Sequence, residues 1–227
     1  MAYRQPSNPL ALAVLTLLDE RPMHPYQMSN TLRERSKEQS IKLNYGSLYA
    51  VVESLVKGGL ITVQETVREG RRPERTIYAI TDAGRTVMVD WLSELLEMPA
   101  AEFPAFEAAL SLMMVLAPPD AIRLLDRRLL GLRMKQTSDR AILGAMPENF
   151  PRVFVIESDY AIAMREAEIE FVRTLLDDLR AGTFSGLPMW QRMHELRATD
   201  MSPDEIEAAL TAEFAGEVTW APPFSGA

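Results

Sequence analysis

The stretch Asn44-Tyr45-Gly46-Ser47-Leu48-Tyr49-Ala50-Val51-Val52-Glu53-Ser54-Leu55-Val56-Lys57-Gly58-Gly59-Leu60-Ile61-Thr62-Val63 changes its hydrophobic period part-way along. Leu48, Val51, Val52, Leu55 and Val56 recur at helical spacing, with Asn44 placed to cap the helix and Gly58-Gly59 to stop it. After Leu60 the period becomes two. Ile61, Val63 and Val67 alternate on one side, a second β-branched run follows at Thr76-Ile77-Tyr78-Ala79-Ile80, and the turn-rich Glu69-Gly70-Arg71-Arg72-Pro73-Glu74 lies between them. This reads as a β-hairpin with an arginine-bearing tip.

Working outward, Asn8-Pro9 opens an apolar helix to about Asp19, with asparagine as cap and proline in the first turn. Arg21-Pro22-Met23-His24-Pro25 is a breaker, and a second, shorter helix is expected from Tyr26 to about Ser36. Thr81 caps a helix through Val87, Trp91, Leu92, Leu95 and Leu96. The order is helix, helix, helix, hairpin, helix, which is that of a winged helix-turn-helix.

Four segments of this region, in order, carry a family resemblance. They are Leu15-Thr16-Leu17-Leu18; His24-Pro25-Tyr26-Gln27-Met28; Tyr45-Gly46-Ser47-Leu48-Tyr49 with Leu55-Val56-Lys57-Gly58-Gly59-Leu60-Ile61; and Gly70-Arg71-Arg72-Pro73-Glu74-Arg75-Thr76-Ile77-Tyr78 with Ile80-Thr81-Asp82-Ala83-Gly84. Together they resemble the PadR family of transcriptional regulators. Three positions depart from that pattern: Pro25 stands where glycine is commoner, Ser47 where threonine is usual, and Glu74 where the wing often has a second base. The resemblance implies a repressor, often released by a small aromatic or cationic effector.

Beyond the hairpin the strand signal nearly vanishes. Helices are expected from Ala105 to Leu116, from Asp120 to near Gly144, from Val153 to Arg180, and from Ser202-Pro203-Asp204-Glu205 to Phe214, with Gly182 to Pro188 a flexible break. The two long helices carry stripes, Ile122, Leu125, Leu129 and Leu132 on one and Tyr160, Met164, Ala167, Phe171 and Leu175 on the other. Such stripes point to an antiparallel hairpin or a partner-binding seam. The expected fold is therefore mainly α: a winged helix-turn-helix of three helices plus a β-hairpin wing over residues 1–97, then an all-helical dimerisation and effector domain over 98–227.

Charge follows that division. The net charge of −8 is acidic for a nucleic-acid binder, but residues 1–97 hold 12 basic and 12 acidic side chains, leaving 12 and 20 for the remainder. A neutral domain can still present a local basic face. With no cysteine and two distant histidines, His24 and His194, neither a disulfide framework nor a thiolate or histidine metal centre is expected. No phosphate loop, nucleophile elbow or metal-ligand cluster is present, so an enzyme is not expected and no cofactor is implied. Glu166, Glu168, Glu170, Asp177 and Asp178 read as a solvated helix face. The longest apolar run, Leu10 to Leu18, is too short to span a bilayer and lacks a cleavage site after it, so it reads as a buried helix in a soluble, cytoplasmic protein.

The expected DNA-contacting residues are Asn44, Tyr45, Gly46, Ser47 and Tyr49 at the start of the third helix, Arg71 and Arg72 on the wing, and Tyr26 and Lys42 beside them. A helix N-terminus attracts phosphate and fits the major groove. Tyr49 and Tyr26 are read either as contacts or as packing residues, whereas Leu48, Val52 and Leu55 are core. Two copies reading a palindromic operator would add their phosphate contacts, with Leu125, Leu129, Leu132, Tyr160, Met164, Phe171 and Leu175 as dimer-interface candidates and intrachain packing as the alternative. Met88, Trp91, Met113, Met114 and Trp190 are candidates for an effector cavity, although methionines and aromatics are more often plain core. A winged helix that binds proteins and not double-stranded DNA is the competing reading.

Overall fold

The computed structural model describes residues 8–67, 75–99 and 101–214. The chain divides into two compact units, residues 1–102 and 103–227.

In the first unit, α1 (Pro9–Glu20) starts at the Asn8 cap, whose side chain accepts from the Leu10 N–H. Leu10, Ala11, Ala13, Val14, Leu15, Leu17 and Leu18 are all buried, so the apolar run is the spine of a core and α1 is covered almost all round. The helices α2 (Pro25–Glu34) and α3 (Tyr45–Lys57) pack on it with Met28, Leu32, Leu48, Val52 and Leu55 turned inward. α4 (Asp82–Glu97) closes the core with Trp91.

The hairpin consists of β1 (Ile61–Val67) and β2 (Arg75–Ile80) in antiparallel register, Ile61 opposite Ile80 and Val63 opposite Tyr78. The register then shifts, with Glu65 opposite Ile77, so Gln64 is an extra residue. Positions beyond it pair out of phase with Ile61 and Val63, and the unbroken alternation expected as far as Val67 fails there. The supposed breaker before α2 has a structural part to play: Met23 and Tyr78 exchange backbone hydrogen bonds of 3.0 and 3.1 Å, adding a one-residue bridge to the wing.

Where the wing meets α4, the chains approach very closely. The Thr81 N–H donates to the Leu60 carbonyl, the Thr81 hydroxyl lies 2.8 Å from the Gly59 carbonyl and 3.0 Å from that of Leu60, and the Gly84 N–H donates to the same hydroxyl. A Cβ on Gly84 would sit 2.1 Å from the Leu60 oxygen, so only glycine fits. The Thr-x-x-Gly spacing is thus a capping motif and a contact motif at once. Outside the core, Arg85 bonds Asp19 at 2.9 Å, and Arg35 grips both oxygens of Glu20 at 2.5 and 2.7 Å. The Arg35 bond holds the Glu20 carboxyl below the usual carboxylate range, against a smaller opposing effect of burial.

In the second unit, α5 (Ala105–Ser111) stops earlier than the expected Leu116, giving way to a 3-10 turn over Met113–Val115. α6 (Pro118–Gly144) and α7 (Ile156–Ala181) form an antiparallel hairpin. One end of their seam is apolar, where Leu125 and Leu129 meet Val172, Leu176 and Leu179. Further along it is ionic: Arg128 bonds Glu168 at 2.6 Å, Arg165 bonds Asp139 at 2.5 Å, and Arg140 pairs with Glu166. Glu166 and Glu168 are therefore seam residues and not a freely solvated face, while Glu170 and Asp177 share Arg173.

Gly182, at a φ of 73°, ends α7 in the left-handed region that favours glycine. The segment expected to be a flexible break turns directly into a helix that sequence reading missed, α8 (Leu187–Arg197), with Pro188 in its first turn. Its Trp190 is buried and donates from Nε1 to the Leu116 carbonyl at 2.8 Å. Finally α9 (Pro203–Glu213) opens with a capping box between Ser202 and Glu205.

Candidate nucleic-acid interface

The first turn of α3 is built by its cap. Asn44 Oδ1 accepts from the Ser47 N–H at 2.7 Å, which leaves the Asn44 amide nitrogen as its donor. On the inner side Leu48, Val52 and Leu55 are fixed in the core. On the outer side Asn44, Gly46 and Tyr49 are exposed, Ser47 is half-buried, and Lys42 is exposed just before the helix. Tyr49, at 46% exposure, is a surface residue, so the packing alternative accounts for only part of its area. Tyr45 occupies the first helical position. The result is a helix N-terminus whose unpaired backbone N–H groups and polar side chains face outward from a rigid core.

Tyr26 sits in the first turn of α2 and is 53% exposed. The departure at Pro25 is accommodated: proline takes the first helical position, and His24 caps the helix with its imidazole. His24 Nδ1 accepts from the Tyr26 N–H at 3.0 Å, while Gln27 Oε1 accepts from the His24 N–H at 3.0 Å. An imidazole can accept only while that nitrogen is unprotonated. Burial first, and then the charge of Arg75, lower the His24 pKa below its usual 6.5, which favours the capping form. Arg75, exposed at the start of β2, is a basic residue of this region that the list of expected contacts omitted, although it belongs to the wing motif. Arg71 and Arg72, together with the rest of Gly70–Glu74, lie outside the described residues.

The other expected sites disperse. Of the dimer candidates, Leu125, Leu129 and Leu175 are buried in the core of their own chain and Leu132 packs against it. Tyr160, Met164 and Phe171 are 68%, 55% and 52% exposed. The inward face of α7 is instead Val172, Leu175, Leu176 and Leu179, because steps of four, three, four and four residues drift around a 3.6-residue helix. Of the effector candidates, Met88 and Trp91 belong to the first core and Met113 and Trp190 to the second, while Met114 borders a cavity in the second unit. Among the described residues there is no group of three or more His, Asp or Glu side chains arranged to hold a metal, and no helix is long and apolar enough to cross a membrane.

Residues 14–90 match the model of the transcriptional regulator PadR-like family. No curated protein matches the chain in sequence. Among solved structures, Bacillus subtilis PadR in complex with operator DNA is similar at a TM-score of 0.60 and 20% identity, over 76% of this chain and 99% of that one. The same Bacillus subtilis protein in complex with p-coumaric acid gives 0.59 and 18%, over 75% and 98%. The Vibrio cholerae virulence activator AphA gives 0.57 and 20%, over 76% and 98%. At these identities the structural likeness speaks for the fold, while the family model speaks for the segment that holds α3 and the wing. Residues 14–90 of this chain are a PadR-like transcriptional-regulator domain carried on a winged-helix fold.

Proposed function

We propose that the chain binds double-stranded DNA sequence-specifically as a homodimer, through α3 and the wing, and represses transcription from a palindromic operator. The observation that carries this reading is the two-sided build of α3. One side is locked into the core by Leu48, Val52 and Leu55, and the other offers Asn44, Gly46 and Tyr49 at the helix N-terminus. Such an end reaches base edges in the major groove and favours phosphate. Ser47, Tyr45, Lys42 and Tyr26 extend the contact, and Arg71 and Arg72 reach the backbone or the adjacent minor groove from the wing. The outward Tyr160, Met164 and Phe171 form the surface on which a second copy docks. The operator-bound Bacillus subtilis relative supports DNA as the partner, and its p-coumaric acid complex supports release by a small molecule.

The test is binding to a duplex carrying the gene's own upstream region, titrated across salt from about 50 to 200 mM. Tight binding at low salt should weaken with a log–log slope of about −0.9 per phosphate contacted. An excess of random duplex should compete poorly. The double variant Arg71→Ala/Arg72→Ala should flatten the slope by about two contacts. If no duplex from a pooled genomic library binds at low salt, the near-neutral charge of residues 1–97 favours a protein partner instead. A promoter–reporter fusion separates repression from activation.

A further inference from the structure

The second unit contains a cavity of about 570 Å3 between α8 and α9. Both helices turn apolar residues toward it at steps of four: Met189 and Met193 on α8, with Arg197 one turn further, and Ile206 and Leu210 on α9, with Phe214 just past its end. The space opens to solvent on one side, and its size is within the range of small-molecule sites, about 300–1,000 Å3.

The wall is held in place from its flank. On the adjoining face of α8, Trp190 bonds the Leu116 carbonyl and His194 Nε2 donates to the Met114 carbonyl at 3.0 Å. These two bonds clasp the 3-10 turn against α8 and bring Met114 to the cavity, where it joins Met201 and the two methionines of α8. Four thioethers make a conformable, polarizable wall that packs well against aromatic rings. The charges that border the space, Arg197 and Glu207, are opposite in sign and both lie on exposed residues. They select no net charge, and the interior offers none.

We propose that this cavity is a binding site for an uncharged, lipophilic small molecule with an aromatic portion. The aromatic part lies among the methionines, and its polar end points to the Arg197–Glu207 rim. The site is formed by residues of the second unit alone, so it holds whether or not the chain binds DNA.

The test uses the full-length protein and N-phenyl-1-naphthylamine, a neutral aromatic probe that brightens in apolar surroundings. Saturable binding of one probe per chain, with loss of tryptophan emission, is expected. Leu210→Glu, which puts a carboxylate on the wall, should weaken it by about tenfold or more. Glu207→Lys, which makes the rim wholly basic, should tighten an anionic anilinonaphthalene sulfonate by about threefold or more. Absence of saturable binding, or a Glu207→Lys variant that binds the anionic probe no better than wild type, overturns the proposal. So does tight binding that appears only after Trp220→Ser and Phe224→Ser, since that result assigns the cavity to the chain's own C-terminal segment.

Discussion

Gly84→Ala pits two forces of opposite sign against each other at a site where the structure says which wins. Helix propensity alone favours alanine over glycine by up to about 1 kcal/mol within a helix. Against that, the new methyl carbon would stand 2.1 Å from the Leu60 carbonyl oxygen and 2.8 Å from Ile80 Cγ1. Ordinary contact requires α4 to retreat by more than an ångström from backbone that cannot swing aside as a side chain would. Overpacking of this kind costs about 1–3 kcal/mol. The same retreat stretches the Thr81 hydrogen bonds to Gly59 and Leu60, and each lost bond adds about 1 kcal/mol. The net expectation is a loss of about 1–4 kcal/mol, or roughly 2–4 °C in melting temperature per kcal/mol for a chain of this length. The control is Gly131→Ala in α6, exposed and with nothing within 4 Å of the added carbon, where propensity acts alone and stability should rise by about 0.5–1 kcal/mol. Urea unfolding of both variants against wild type decides the matter. A Gly84→Ala protein as stable as wild type would refute the close approach of α4 to the root of the wing.

The His24 cap makes stability pH-dependent. Because the folded pKa lies below 6.5, the unfolded chain takes up the proton first, so the contribution is complete above about pH 6.5 and is lost as pH falls below it. His24→Ala should cost about 0.5–2 kcal/mol at pH 7.5 and less at pH 5, whereas His24→Asn should keep the cap and flatten the profile in urea midpoints. In the α6–α7 seam, Arg165→Ala should destabilise by about 1–3 kcal/mol because it leaves Asp139, 17% exposed, without its main partner. Arg140→Ala, from the exposed pair with Glu166, should cost under about 1 kcal/mol in the same denaturation assay. Tyr49→Ala should weaken operator binding by about tenfold, with a smaller loss of melting temperature than Leu48→Ala, because the ring is only half covered in the fold while Leu48 is fully buried.

Much of the fold is legible in sequence because its signals are local. Asn8, Asn44, Thr81 and Ser202 cap helices through bonds to residues two or three positions on, and the change of period after Leu60 marks the hairpin directly. The residues that fail to read are those whose role depends on a distant strand or helix. The bulge at Gln64 exists only as a register against β2. Met23 looks like a breaker because its bonding partner, Tyr78, is far along the chain. The first turn of α8 looks like a loop because glycine and proline surround it, yet Trp190 is buried and bonded to Leu116.

The stripe on α7 shows the same limit from the other side. Tyr160, Met164, Phe171 and Leu175 are equivalent by spacing, and only packing against α6 separates buried Leu175 from the three that face outward. What the amino-acid sequence determined by itself is therefore most of the order of elements, their caps and stops, and the family resemblance of residues 14–90, since each rests on bonds or periodicities a few residues long. Which apolar residues become core and which remain surface, and where a cavity opens between α8 and α9, was decided only by tertiary structure, because burial belongs to pairs of surfaces and no single stretch of chain contains both.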